Sequence, residues 1–150
     1  MCNEESMNCV HLNNQAYDCF HTLFLGVNNQ EANVVLDQQD GTMTQVNNFS
    51  QLQGINTMWK IAIHCQEESV KEKCRNILCD LYLLTQTKNT RQKLSIQEAF
   101  VKQCRKSLQE AQDMQSKQQN GGSEYNMIIL NCLRLMRVYI QRFDKEHLIP

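Results

Sequence analysis

Apolar residues along this chain recur at intervals of three and four in five separate stretches, the period of a helix with one face turned inward. The first runs from about 13 to 28, with Leu12, Ala16, Cys19, Phe20, Leu23, Phe24 and Val27 as its stripe and Asn13 or Asn14 available to cap it. A second, about 52 to 65, carries Leu52, Ile55, Met58, Trp59, Ala62 and Ile63, with Trp59, the single tryptophan, as a core anchor. The third begins near Ser69, where Ser69 and Glu72 have the spacing of a capping box, and carries Val70, Cys74, Ile77, Leu78, Leu81 and Leu84. Ser95 and Glu98 repeat that spacing and predict the start of a fourth helix with Ile96, Phe100, Cys104, Leu108 and Ala111 on one side. The fifth, about 123 to 143, has two parallel stripes: Ile128, Cys132, Leu135 and Tyr139 beside Ile129, Leu133, Met136 and Ile140.

Between these stretches the pattern fails. Residues 28–50 turn to Asn, Gln, Asp and Gly around one short apolar patch, Val34 to Leu36, and residues 112–123 are Gln-, Asn- and Gly-rich. Both predict mobile linkers, and residues 1–12 predict an acidic, mobile N-terminus ahead of a helical scaffold over 13–150. The three or four residues between the second and third helices make those two antiparallel neighbours. Five Gly and one Pro leave little turn punctuation for a many-stranded domain. The expected class is therefore all-α, and the paired helices suggest an armadillo- or HEAT-like helical repeat, an α-solenoid segment of about five helices. A compact bundle gives a similar pattern. The wide apolar face of the fifth helix favours the solenoid, because a terminal helix of a closed bundle is usually polar outside.

Composition narrows the function classes. With 150 residues, 41% hydrophobic and 21% charged, the chain has the make-up of one packable domain. Its greasiest region, 127–140, is broken by Asn131, Arg134 and Arg137, well short of the roughly 18 uninterrupted apolar residues of a membrane span. Glu4 and Glu5 stand where a secretory leader needs a basic start, so none is expected. Net charge is −1, but residues 1–53 hold six acids and no Lys or Arg, whereas 54–150 hold ten acids and all 15 bases. Because those bases are interspersed with acids along helices, they predict solvated faces and no nucleic-acid partner.

The eight cysteines, Cys2, Cys9, Cys19, Cys65, Cys74, Cys79, Cys104 and Cys132, contain no C-x-x-C pair, so neither a metal site nor a cofactor is expected. Cys19, Cys74, Cys104 and Cys132 fall on apolar stripes, where a thiol acts as a small hydrophobe, which predicts reduced thiols in a cytoplasmic protein. His64 and Cys65 are adjacent, but neighbours on a helix diverge by about 100° and do not make a catalytic pair. No catalytic, cofactor-binding or metal-ligating residue is assigned.

Three stretches nevertheless resemble a known family. Asn14-Gln15-Ala16-Tyr17-Asp18-Cys19-Phe20, Gly54-Ile55-Asn56-Thr57-Met58-Trp59-Lys60-Ile61-Ala62 and the helix holding Ile77 to Tyr82, followed by the closing Leu148-Ile149-Pro150, are similar in order to a giant ubiquitin-specific protease of the fat-facets type. The resemblance implies a non-catalytic, armadillo-like scaffold lying before the protease domain and ahead of a ubiquitin-like segment. The family's catalytic cysteine lies in Gly-x-Thr-Cys-Tyr and its histidine in Gly-His-Tyr, and this sequence has neither, so the resemblance implies no catalytic residue here. It implies a segment of a deubiquitinating thiol protease that binds ubiquitinated substrates or adaptor proteins through helical surfaces and contacts the rest of its parent chain. The alternative that the residues allow is a stand-alone helical-repeat adaptor that binds proteins and has no enzymatic activity.

Overall fold

The computed structural model describes residues 9–85, 89–117 and 122–147. The fold is all-α with one small sheet: α1 (Asn14–Gln30), β1 (Val34–Leu36), β2 (Met43–Val46), α2 (Ile55–His64), α3 (Glu68–Leu83), α4 (Thr90–Lys117) and α5 (Gly122–His147). No helix among the described residues is long and apolar enough to cross a membrane.

The capping side chain of α1 is Asn13, whose Oδ1 accepts from the Ala16 amide at 2.8 Å. Its buried face is rotated from the expected stripe. Tyr17, Phe24 and Asn28 are buried, with Phe20, His21 and Leu25 half-buried, whereas Ala16, Cys19, Leu23 and Val27 are exposed. The helix turns its larger aromatic area inward, and Tyr17 donates to Met58 Sδ on α2.

Residues 28–50, expected as a linker, carry regular structure. They fold as an antiparallel β-hairpin, with Val34 opposite Val46, Leu36 opposite Met43 and a bulge between Val35 and Leu36. Val46 also bridges Thr85 just past α3, its amide donating to Leu84 O at 3.1 Å. Buried polar groups hold the hairpin. Asn28, fully buried on α1, donates from Nδ2 to Phe24 O and Gln53 O, while its Oδ1 accepts from Gln53 N and Asn33 Nδ2. Asn33 O in turn accepts from the amides of Asn47 and Asn48. Between them α1 ends in a Schellman motif: Asn33 N donates to Asn28 O and Ala32 N to Asn29 O, with Ala32 in the left-handed region at φ 60°. Asparagines that read as linker from sequence are here the buried fasteners, which is why composition misplaced this segment.

Gly54 opens α2 with φ 85°, and a Cβ there would approach the Phe24 ring to 3.2 Å, so this turn requires glycine for both conformation and space. Met58, Trp59, Ile61, Ala62 and Ile63 are all buried, so α2 is covered almost all round. On α3 the capping box does not form: the helix begins at Glu68, and the Ser69 hydroxyl instead donates to Glu67 Oε1 and accepts from Asn14 Nδ2 at 2.7 Å. Nor does Ser95 open α4. That helix starts at Thr90, with Asn89 Oδ1 accepting from the Arg91 amide, so Ser95 lies in its second turn. The predicted stripe of α4 is inside all the same: Ile96, Phe100, Cys104 and Ala111 are buried and Leu108 is half-buried.

The expected 112–123 linker is also too long, since α4 continues to Lys117 and α5 begins at Gly122; residues 118–121 lie outside the described residues. At the N-terminus, residues 1–8 lie outside them too. Cys9–His11 forms a 3₁₀ turn packed on α2, with Cys9 buried and Val10 O accepting from the Gln66 amide. Leu148 to Pro150 are likewise not described.

One side of α3 meets α1 and the other meets α5. Residues two apart on a helix point about 200° apart. Accordingly Ser69 and Lys73 bind Asn14 and Asp18 of α1, while Lys71 binds Asn131 of α5 and Glu68 binds Arg134 of α5. Nearer the end of α3, Asn76 O and Asp80 accept from the long side chain of Arg142 on α5. Asn131, fully buried, donates to Ile63 O and thereby satisfies a carbonyl in the last turn of α2. Aromatic rings complete the core: Trp59 contacts Tyr82 and Phe100, Phe49 contacts Tyr82, and Phe100 stacks on Tyr139 with centroids 4.0 Å apart.

Candidate interaction surfaces

Most of the described cysteines lie inside the fold. Cys9, Cys65, Cys74, Cys79, Cys104 and Cys132 are buried and free, and burial raises the pKa of each, with Cys79 and Cys104 pushed up to about 12 and Cys132 to about 11. A thiol that resists ionisation is a poor nucleophile and a poor metal ligand. Cys65 donates to Leu12 O, and the adjacent His64 lies in the last turn of α2. Cys19 departs from expectation, being exposed on the outer side of α1. No group of three or more His, Cys, Asp or Glu that could hold a metal occurs among the described residues.

The densest charge cluster among the described residues is structural. Glu68, in the first turn of α3, binds Arg75 at 2.7 Å, Lys71 at 3.1 Å and Arg134 of α5 at 3.2 Å. The hydrogen bond from Arg75 is the main reason its carboxyl sits below the usual range, with the Lys71 hydrogen bond adding to it. Its place at a helix N-terminus adds to the preference for negative charge. Lys71 and Arg75 are both buried while Glu68 and Arg134 are about half exposed, so this cluster ties α3 to α5 at the edge of the core.

Two outward apolar rows stand out among the described residues. On α1, Cys19, Leu23 and Val27 form an exposed line, Leu23 at 67%. On the α4/α5 hairpin a groove of about 280 Å³ is lined by Leu94, Gln97, Glu98, Val101, Tyr139, Ile140 and Phe143. Leu94 and Ile140 are each about half exposed, and Leu133 extends the row on α5. Gln97 is buried, and its Nε2 has no hydrogen-bond acceptor among the described residues. Between α2 and α4 lies a third, polar cleft of about 320 Å³ with Lys60, His64, Lys106 and Glu110 on its walls and no thiol.

No protein-family model matches this chain, and no curated protein matches it either. The second stripe of the fifth helix, predicted from sequence, lies outward as expected for Leu133 and Ile140, while Ile129 and Met136 are half-buried. The α1 row went unrecognised because Ala16, Cys19, Leu23 and Val27 also satisfy the pattern of a buried stripe. Tyr17, His21 and Asn28, spaced by four and seven, mark the true inner face, a signal hidden by counting them as polar.

Proposed function

We propose that this chain is a non-catalytic, armadillo-like helical scaffold segment of a deubiquitinating cysteine protease of the ubiquitin-specific, fat-facets type, acting in the binding of ubiquitinated substrates or adaptor proteins. The observation that carries the reading is the gripping of α3 between α1 and α5, which leaves apolar rows on the outer side of each end. A stacked helical repeat leaves such faces for its neighbours and partners. The ordered resemblance over 14–20, 54–62 and 77–82 supplies the family, and buried thiols serving as small hydrophobes suit the reducing cytoplasm that the reading assigns. Isopeptide cleavage then belongs to a thiolate and histidine elsewhere in the parent chain.

Sequencing the transcript beyond the codon for Pro150 tests this. The expected frame continues into a ubiquitin-like segment and a protease domain with a Gly-x-Thr-Cys-Tyr motif; a stop codon there overturns the reading in favour of a stand-alone adaptor. The purified chain is further expected to give no turnover of a ubiquitin isopeptide substrate. Turnover abolished by replacing one particular cysteine would be incompatible with a scaffold role.

A further inference from the structure

The outward face of the α4/α5 hairpin carries charge in a definite order. On α4 it reads Leu94, Glu98, Val101, Arg105, a four-three-four spacing that keeps one helical face, and all four are exposed, with exposed Arg91 continuing the row three residues before Leu94. On α5 the same spacing gives Leu133, Arg137, Ile140, Asp144, again all exposed. Within each row the opposite charges are seven residues apart, about 10 Å along the axis. Only four residues, 118–121, separate the two helices, so they run antiparallel, and the Phe100–Tyr139 stack sets their level. Glu98 and Asp144 therefore lie toward one end of the face and Arg105 and Arg137 toward the other, with Val101 and Ile140 between. None of these four charges is in an ion pair among the described residues.

We propose that this face pairs with the same face of a second copy of the chain, about a two-fold axis passing near Val101 and Ile140. A two-fold perpendicular to the helices reverses the face end for end. The acidic end of one copy then lies over the basic end of the other, and the half-exposed Leu94, Val101, Leu133 and Ile140 are covered together. The pattern is its own complement, which an unrelated partner would have no reason to match. The α1 row of a second copy fits less well. Residues 1–53 contain no Lys or Arg, so that face leaves Glu98 and Asp144 unpaired, and a head-to-tail contact of this kind does not close. The inference does not depend on the protease reading.

Sedimentation of the 150-residue chain over a concentration series tests it. A reversible monomer–dimer equilibrium is expected, weakened by salt. Glu98→Arg and Arg105→Glu should each weaken the dimer by at least about tenfold, while the combined Glu98→Arg/Arg105→Glu chain should return to within about threefold of the starting constant. Far-UV circular dichroism checks that each variant is folded. Should either α4 variant fail that check, Arg137→Asp, Asp144→Arg and their combination apply the same logic on α5. The proposal is overturned by a chain monomeric at several hundred micromolar, by a dimer indifferent to the single reversals, by failure of the combined variant to recover, or by species that keep growing with concentration.

Discussion

Replacing Asn28 with alanine should unfasten the hairpin from the helices. The side chain is fully buried and makes four hydrogen bonds: 2.8 Å to Phe24 O, 3.0 Å to Gln53 O, 2.9 Å from Gln53 N and 3.2 Å from Asn33 Nδ2. Phe24 O and Asn33 Nδ2 have other partners within α1 and at Gln51 O, so their loss is the smaller part. The Gln53 amide and carbonyl lose the partner that closes the chain onto α1, and because Gln53 is exposed enough for water to reach them, each of these two groups costs about 1 kcal/mol, the low end for an orphaned group. Adding about 1 kcal/mol for the bonds lost from the remaining two groups gives a destabilisation of about 3 kcal/mol. Urea denaturation followed by circular dichroism measures it, and hydrogen exchange at Val46 and Asn47 shows whether opening is local. Asn28→Asp should be at least as damaging at neutral pH, because it keeps the acceptors, loses both donated bonds and buries a charge. A loss below about 1 kcal/mol for Asn28→Ala, with exchange in the hairpin unchanged, would refute the idea that this asparagine holds the segment.

Phe100→Ala removes the ring that joins Trp59, Tyr82 and Tyr139 and should cost about 3–5 kcal/mol, read from the same denaturation curves. Ala32→Gly relieves a left-handed alanine at the end of α1 and should raise stability by about 0.5–1 kcal/mol in thermal or urea unfolding. Among the described cysteines, a maleimide should modify Cys19 first under native conditions, while Cys74, Cys104 and Cys132 react only on unfolding; mass spectrometry of timed samples checks the order. The lowered carboxyl pKa of Glu68 means that its contribution is present above its unfolded value and is lost as pH falls through the folded one. Glu68→Gln should therefore flatten the acid side of the stability profile by a small amount, since a half-exposed carboxylate is screened by water.

The inner side of α4 was legible because Ile96, Phe100, Cys104 and Ala111 form an unambiguous period with polar residues around them. Its start was not, because the Ser95–Glu98 spacing imitates a cap while the working cap is Asn89, six residues earlier. The α1 face was misread because alanine, cysteine and leucine outnumber the aromatic residues that decide the packing. The hairpin escaped notice because its fixing comes from Asn28 and Asn33, whose hydrogen bonds reach Gln51 and Gln53, contacts that no local periodicity encodes. Of the candidate binding faces, the α5 half was visible as a stripe too wide for one neighbour. The α4 half was not, since Leu94 and Val101 look like scattered surface residues until α5 is set beside them.

The chain's only indole is well sited for optics. Trp59 stands on α2 with its Nε1 donating to Tyr82 of α3 at 3.0 Å and its ring 5.1 Å from that of Phe100 on α4. Its emission therefore registers whether α4 lies against the α2/α3 pair. Should the α4/α5 hairpin lift away while remaining helical, the ellipticity at 222 nm would barely change, but water would reach the indole and shift its spectrum to the red. Energy transfer from Tyr82 would persist through that event and disappear only when α2 and α3 part. Two colours read from one cuvette can thus separate detachment of the hairpin from collapse of the whole, with no label attached.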